Sequence, residues 1–556
     1  MPHLDGSTLE GGGQLVRNAI SLSALTSQPL HISQIRGNRR GAGGLKASHT
    51  AAIEFLLQAC GGEADGLHVG SLELKFYPRG RSTDLPDPLT LPSEDAEPSA
   101  PRHDLLLHSS HTVLPIKPEY NIKLTTPGSV FLIFQAVYPY ILYAGACANG
   151  TEPEIDSPMS KVRLNITGGT NVTSSPTYDY FSQVLVPNFA KLGLPPLSAR
   201  LVDRGWCSGR VQLGMVSFTI EPLKTYGCEM SNSESGEVVT TEATQLSELT
   251  GGIVMKSPIF PDIQLDRFQR GDITRIDITV LAPDFPFEQM GSQVKASRTD
   301  STANKRYNRQ KSRTHRANET PADNENQDSD DGSNSALEES IRRSSSSSSP
   351  SSVRRYLEER TASLLRRALK RDGHLISESK VDSEFDNMSI TDKQMSSPSG
   401  VSVNLRHSEA TSHPQHIYLL LVAHTSNGFR LGRDALYGIS DKGEPTKGGS
   451  KSQKSKQTKG QKGAKPTKVA YDESEDRVET MIEQCISELM FELNNGDMRC
   501  LDTFMRDQVI VFQALGQLSA GCHEEENQSR RDNGENLSLH ARTAQWVCKK
   551  MLGVNV

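Results

Sequence analysis

An α/β (α+β) architecture is predicted from two features of the sequence. Short stretches alternate apolar and polar residues with period two, and apolar residues at helical spacing lie between them. Alternation shows at Leu72, Leu74 and Phe76, at Val162, Leu164 and Ile166, and at Val216, Phe218 and Ile220. Strands alternating with helices are the pattern of a layered α/β or α+β domain. The first helix carries Leu15, Ala19 and Leu22 at i, i+4 and i+7, one apolar face. Residues Val130 to Ala144 form an apolar run that is short for a membrane span and is interrupted by Gln135 and Pro139. A buried helix is expected there, and no membrane association. Tyr178 to Leu192 predicts a further helix, ended by Gly193.

The strand Ile273–Leu281, a helix near 353–370 and a strand near 417–423 make one small unit. Val478, Ile482, Ile486, Leu489 and Leu493 keep helical spacing over a long helix that Gly496 ends. From about Ser292 to Ser352 the composition turns polar, charged and Ser-rich, and Lys442 to Lys468 is Lys/Gly/Ser-rich. Neither tract has the apolar surface to offset its ordering entropy, so both are expected to be disordered. Residues 82–103, rich in Pro and Asp, read as an exposed loop.

The 556 residues suffice for several domains. A formal net charge of −6 excludes a global basic signature of nucleic-acid binding. Any such contact must come from a local patch or from oriented backbone donors. The N-terminus lacks the basic and apolar pattern of a signal peptide, and the eight cysteines show no C-x-x-C spacing. A reduced, soluble, intracellular protein is expected. Lys305, Arg306, Arg309, Lys311, Arg313 and Arg316 form a basic cluster that suits a nuclear import signal or, equally, a solvated linker.

Chemistry concentrates at the N-terminus. Glu10 is followed by Gly11, Gly12 and Gly13, and then by Gln14 and Arg17 on a helix. Glycines ahead of a helix let backbone N–H groups approach an anion, which the positive helix end favours. Gln14, Arg17 and Ser21 lie opposite Leu15, Ala19 and Leu22 and can face a ligand. A carboxylate beside a phosphate, as Glu10 would be, suits a divalent metal or a nucleophile that needs steering. The spacing fits neither a P-loop nor a dinucleotide fingerprint. A second loop, Arg36-Gly37-Asn38-Arg39-Arg40-Gly41, combines glycines with basic residues and suits phosphates. A third glycine-containing segment, Thr126-Pro127-Gly128-Ser129, leads into a helix that carries Gln135. Near the other end stand Asp507-Gln508 and then His540, the latter in a strand-to-helix transition that would place an imidazole at a helix start.

The opening LDGSTLEGGGQLVRNAI and the strings TTPGSVFLIFQAVYP, NITGGTNVTSSPTYDYF, RGWCSGRVQLG, DQ at 507–508 and SLHARTA around His540 closely resemble RNA 3'-terminal phosphate cyclases, in family order. The resemblance implies repeated β/α units like the C-terminal domain of translation initiation factor 3, with a smaller βα domain inserted. Residues 1–269 would be the first part of the larger domain and 270–440 the insert, interrupted at about 292–352. Residues 441–468 would be a linker, and 469–556 the C-terminal part of the larger domain. The implied activity converts an RNA 3'-phosphate into a 2',3'-cyclic phosphate, using ATP and a divalent metal (Mg or Mn), through a covalent histidine–AMP intermediate. His540 matches the nucleophile and Glu10 the metal carboxylate. Gln14, Arg17, Arg36, Arg39, Gln135 and the segment Phe504, Met505, Arg506, Asp507 and Gln508 match nucleotide and phosphate contacts. Arg40, Ser48 and Arg506 depart from the family pattern. The rival reading is a cyclase-like, non-catalytic protein that binds pre-ribosomal RNA; retention of both His540 and Glu10 argues against it. Family members are often nuclear, which favours the import reading of the basic cluster.

Overall fold

The computed structural model describes residues 1–39, 41, 43–78, 116–148, 161–224, 258–290, 352–373, 400–437, 468–494, 499–520 and 537–556. The exposed loop expected at 82–103, the basic cluster at 305–316 and nearly all of the two polar tracts lie outside these residues.

Two sheets repeat one connectivity. In the first, β1 (His3–Asp5), α1 (Gly13–Thr26), β2 (Leu30–Ser33), α2 (Ala47–Cys60), β3 (Glu63–Asp65) and β4 (Leu74–Tyr77) give the strand order β1-β2-β4-β3. In the second, β5 (Glu119–Lys123), α3 (Val130–Ala148), β6 (Val162–Gly168), a helix α4, β7 (Leu197–Asp203) and β8 (Gly214–Ile220) give β5-β6-β8-β7. The first two strands of each sheet run parallel and the other pairings are antiparallel. A parallel neighbour requires a crossover, which α1 and α3 supply. The alternating apolar residues of β6 and β8 all point into the core. Leu72 is the exception among those read from alternation: it precedes β4 and is exposed.

The architecture is therefore mixed α/β, as the alternation of patterns predicts. Helix α3 is long and apolar enough to cross a membrane, yet most of it is buried inside the protein. Its first turn is capped by Ser129 Oγ, which accepts from the N–H groups of Phe131 and Leu132. One core joins α1, α2 and α3 to the first two sheets and to two C-terminal helices, α7 (Thr503–Ala520) and α8 (Leu539–Leu552).

The third sheet is built differently. Its strands β9 (Ile273–Pro283), β10 (Ser402–Thr411), β11 (Tyr418–Thr425) and β12 (Arg430–Leu436) have the order β10-β9-β11-β12. β9 and β10 are parallel across the helix α5 (Val353–Arg371). One face packs on α5 and on α6 (Lys468–Asn494). The spacing of Val478 to Leu493 thus forms its helix, but the partner is the third sheet rather than the C-terminal helices with which residues 469–556 are grouped by resemblance. An apolar stripe specifies which residues are buried, not what buries them.

The other face of this sheet meets α4, through Leu281, Tyr418, Leu420 and Val422 against Tyr180 and Val184. α4 runs from Tyr178–Tyr180 through a π-type turn, Phe181–Leu185, into Val186–Lys191. Pro187 lacks an N–H to bond the carbonyl four residues back, at Gln183, and its ring crowds that carbonyl. The freed Gln183 carbonyl accepts from Arg430 of β12 at 2.8 Å. Asn188 adds two bonds to the Arg430 backbone.

Asp502, fully buried, accepts from Tyr180 Oη of α4 (2.8 Å), Gly432 N of β12 (2.8 Å) and Met505 N of α7 (2.9 Å), with Arg433 Nη1 at 3.6 Å. Removing one partner of a buried, hydrogen-bonded charge leaves the others uncompensated, a loss of about 3–5 kcal/mol. Asp502→Ala is expected to lower the urea-unfolding free energy by that order, and Asp502→Asn by less. A loss under about 1 kcal/mol for the alanine variant would show that this node does not join the units.

Candidate active site

The loop between β1 and α1 is held by side chains within it and opposite it. Asp5 Oδ1 accepts from Ser7 N (2.8 Å) and Ser7 Oγ (2.6 Å). Asn38, from the loop after β2, donates to the carbonyls of Ser7 and Leu9. Gly11 has φ 57, the left-handed region that glycine adopts without strain. A Cβ on Gly13 would stand 2.6 Å from His49 Nε2 and 3.0 Å from an Arg17 nitrogen. The glycines thus bring the start of α1 against an imidazole and a guanidinium.

Glu10 is the centre of the arrangement. Its carboxylate contacts Arg39 through Oε1 and His540 Nδ1 through Oε2. Its backbone N–H donates to Thr543 Oγ1, one turn beyond His540 on α8 (3.3 Å). His540 sits in the first turn of α8, whose N-cap is Ser538. Ser538 Oγ accepts from Ala541 N (2.9 Å) and donates to Asp507 Oδ1 of α7 (2.7 Å). Glu10 thus holds the imidazole itself, while the cap and the α7 carboxylate behind it fix the start of the helix that carries it. It is also accessible, with a side-chain exposure of 44% against 11% for Glu10.

Cations surround the Glu10 carboxylate. Arg17 is buried and donates to Gln135 Oε1 of α3 at 2.7 Å. Burial pulls the Arg17 pKa down to about 10, Glu10 opposes this, and repulsion from Arg39 and Arg36 adds to it. Burial likewise lowers Arg36, again with Arg39 pushing the same way. Burial pushes the Glu10 carboxyl up, but the hydrogen bond and charge of His540, with Arg39 and Arg17, outweigh it and hold Glu10 below its ordinary value. His49, buried and accepting from Lys46 N (3.2 Å), is driven down to about 3 by burial and then by Arg17, Arg36 and Lys46. An excess of positive charge in a half-buried pocket, next to the positive end of α1, is built for an anion.

Of the residues singled out in the sequence, Glu10, Arg17, Arg36, Arg39, Gln135, Asp507 and His540 converge here. Gln508 lines a small cavity with Ser21, Gln135 and Tyr138. Gln14 is buried. Met505 is fully buried in the core, so its side chain packs rather than contacts a ligand. Phe504 is half exposed and lies under the Arg433 guanidinium, 4.4 Å from its ring centroid. The helix start expected at His540 is present; the residues just before Leu537 lie outside those described. Burial pushes Asp507 up to about 6, against the Ser538 hydrogen bond and the charge of His540.

With this geometry in view, comparison with known proteins decides the family. Residues 8–556 match the sequence model of RNA 3'-terminal phosphate cyclase. The chain belongs to the RNA 3'-terminal phosphate cyclase family. Relatives named RNA 3'-terminal phosphate cyclase include those of Methanosarcina mazei (31% identical over 261 residues, 45% of this chain and 59% of the relative) and Desulfurococcus amylolyticus (32% over 191 residues, 34% and 40%). A third, from Pyrococcus abyssi, is 30% identical over 249 residues, 45% of this chain and 55% of the relative. The matched stretches thus span about half the length of these relatives.

Three structural contributors carry no sequence motif of their own. Ser538 was legible only as a Ser ahead of a helical run, a cap signal. Thr543 looks like any helix residue until Glu10 N is found on it. His49 reads as an ordinary helix histidine, because its burial against Arg17 depends on how α1 and α2 pack.

The His49 depression has a pH consequence. Its folded pKa of about 3 lies below the ordinary 6.5, so folding excludes a proton that the unfolded chain binds. That stability is present above about pH 6.5 and is lost as pH falls towards 3, at up to about 1.4 kcal/mol per pH unit. Between pH 6 and 5, His49→Gln is expected to flatten the pH dependence of urea stability relative to the parent chain. An identical slope in the two proteins would mean that His49 is not held neutral.

Proposed function

We propose that this chain is an ATP-dependent RNA 3'-terminal phosphate cyclase in which His540 is the nucleophile. The observation that carries the proposal is the contact of Glu10 Oε2 with His540 Nδ1, two residues 530 positions apart in the chain. A carboxylate on Nδ1–H fixes the tautomer whose lone pair is on Nε2, and it balances the positive charge that grows on the ring during attack. Nε2, on the accessible side, attacks the α-phosphorus of ATP. A P–N bond forms, the P–O bond to the β-phosphate breaks, and pyrophosphate leaves. An oxygen of the RNA 3'-phosphate then displaces His540, which regains its neutral form. The adjacent 2'-hydroxyl gives up its proton to solvent as its oxygen attacks the activated 3'-phosphorus, AMP departs with the bond electrons, and the ring closes.

Arg17, Arg36 and Arg39 hold the phosphates and offset charge at each in-line displacement. Gln135 orients the Arg17 guanidinium. Among the described residues, no group of three or more His, Cys, Asp or Glu converges on one point. Glu10 is the protein carboxylate that would share a divalent ion with phosphate oxygens. Arg39 and His540 Nδ1 already engage its two oxygens, so the ion would have to share those contacts. When bound, such an ion would neutralise phosphate charge. Residence in the nucleus, through the basic cluster at 305–316, belongs to the same proposal; replacing those six basic residues by Ala should move a fluorescent fusion to the cytoplasm.

Incubation with α-labelled ATP is expected to label the protein with AMP and to convert a 3'-phosphorylated oligonucleotide to its cyclic form. His540→Ala should lose both. Glu10→Gln should keep the nucleophile but slow labelling by about 10²–10³-fold, the usual cost of removing one preorganised electrostatic partner. If the parent chain binds 3'-phosphorylated RNA but never acquires AMP, the non-catalytic, RNA-binding reading stands instead.

A further inference from the structure

We propose that the edge of the third sheet is a docking track for the body of an RNA strand, separate from the pocket at His540. The inference rests on RNA as the polymeric substrate and adds where the rest of that polymer lies.

β10 is an edge strand, with β9 on one side only. An edge strand leaves a row of backbone donors and acceptors unpaired. Around its first half the side chains are cationic on both faces of the sheet. On one face, Arg275 and Arg406 are 42% and 45% exposed, and both reach the same buried carboxylate, Asp277. His424 also contacts Asp277 (2.9 Å). Arg430 is close enough for Arg406 and Arg275 to push its pKa down, after the larger effect of burial. Two guanidinium groups thus share one carboxylate, with a third guanidinium close by.

On the opposite face, α5 supplies the rest of the band. Its first half is charge-matched: Arg354 pairs with Glu358, Arg355 with Glu359 and Arg360 with Glu479. In its last turns Arg371 pairs with Asp372, and Arg367 is near enough to Glu479 to help lower that carboxyl. Arg366, Arg367 and Lys370 are exposed. Among the described residues, none of the three has an ion pair. Arg366 reaches round to the edge, donating to the Val403 carbonyl of β10 at 3.5 Å. Val403 pairs with Ile276 of β9, between Arg275 and Asp277, so both clusters sit at the same end of the sheet. A cationic band therefore wraps this edge of a chain whose net charge is −6.

Guanidinium groups spaced along a strand edge fit the repeating phosphates of a nucleic-acid backbone. The band is also tied to the candidate active site. Arg430 bonds the Gln183 carbonyl of α4, and Phe181 of the same turn lines the cavity beside Gln508 and Ser21. From Leu281, which packs on α4, back to Arg275 the extended strand covers on the order of 20 Å. At about 3.4 Å per stacked nucleotide this is roughly six nucleotides. A trinucleotide held at His540 is too short to cover a track of that length as well, whereas a 20-nucleotide strand exceeds it.

The test uses the full chain and a triple variant, Arg366→Glu with Arg367→Glu and Lys370→Glu, on an exposed helix face away from the nucleotide pocket. Covalent AMP labelling without RNA reports whether the proposed chemistry itself is intact. Binding of a 3'-phosphorylated 20-mer, followed by fluorescence anisotropy, reports on the track whether or not labelling occurs. The variant is expected to label as the parent does and to cyclise a 3'-phosphorylated trinucleotide with unchanged KM. Its Kd and KM for the 20-mer should rise at least tenfold, and the slope of log Kd against log salt should fall by about 2, for three lost single-strand contacts. Arg406→Glu should act in the same direction. Unchanged 20-mer binding in both variants overturns the track, even if labelling is normal. So does a loss confined to anionic vesicles or to an acidic protein, because the band would then serve a different partner. Absence of labelling in the parent, with the 20-mer effect intact, removes the cyclase reading and leaves the track standing.

Discussion

A single carboxylate placed among guanidinium groups sets the terms for the candidate site. Glu10 lies between Arg39 and His540, with Arg17 and Arg36 close enough to shape each other's ionisation. Charges of one sign taken out of water repel and lose hydration, so such a cluster is stable only with a counter-charge or with anions still to come. Glu10 supplies the counter-charge in part. The remaining positive excess is what a triphosphate and an RNA terminus would neutralise, and the same carboxylate steers the group proposed to attack them. On the proposed mechanism, one residue would couple binding of the anion to readiness of the nucleophile.

The fold serves this cluster by supplying helix starts. The two repeated sheets each give a parallel pair of strands whose crossover helix begins near the pocket. α1 contributes Arg17, and α3 contributes Gln135. The second turn of α7 and the first turn of α8 contribute Asp507 and His540, joined by the Ser538 cap. The third sheet contributes none of these side chains. It braces the structure from the far side of α4, through Asp502 and through Arg430 at the π-type turn that Pro187 imposes.

Strand and helix periods carried most of the architecture. Leu164, Ile166, Val216 and Phe218 are buried as alternation requires, and α4, α5 and β9 begin where their patterns begin. Leu72 departs because a turn around Ser71 ends the alternation before the strand starts. The position of α6 was less legible, since period alone does not name a partner. At the site, the glycine run, the arginines and Gln135 were visible as local chemistry, whereas His540 was decided by resemblance. His49, Ser538 and Thr543 were hidden for a common reason: each acts through a contact with a residue distant in sequence, and no local spacing encodes that. Met505 is buried in the core while its neighbour Phe504 is half exposed, a difference that the helical period sets and adjacency in a motif does not.

The contact between residues 10 and 540 also has a temporal side. At usual synthesis rates, a ribosome needs on the order of 30–100 s to cover the interval between them. Throughout that time the arginine-lined half of the pocket exists, or can form, without its reactive imidazole. If His540 is the nucleophile as proposed, a chain still lacking α8 would carry the cationic half of the site without the group that attacks. In the proposed mechanism, competence arrives only with closure of α8 onto α1, after both residues have been synthesised.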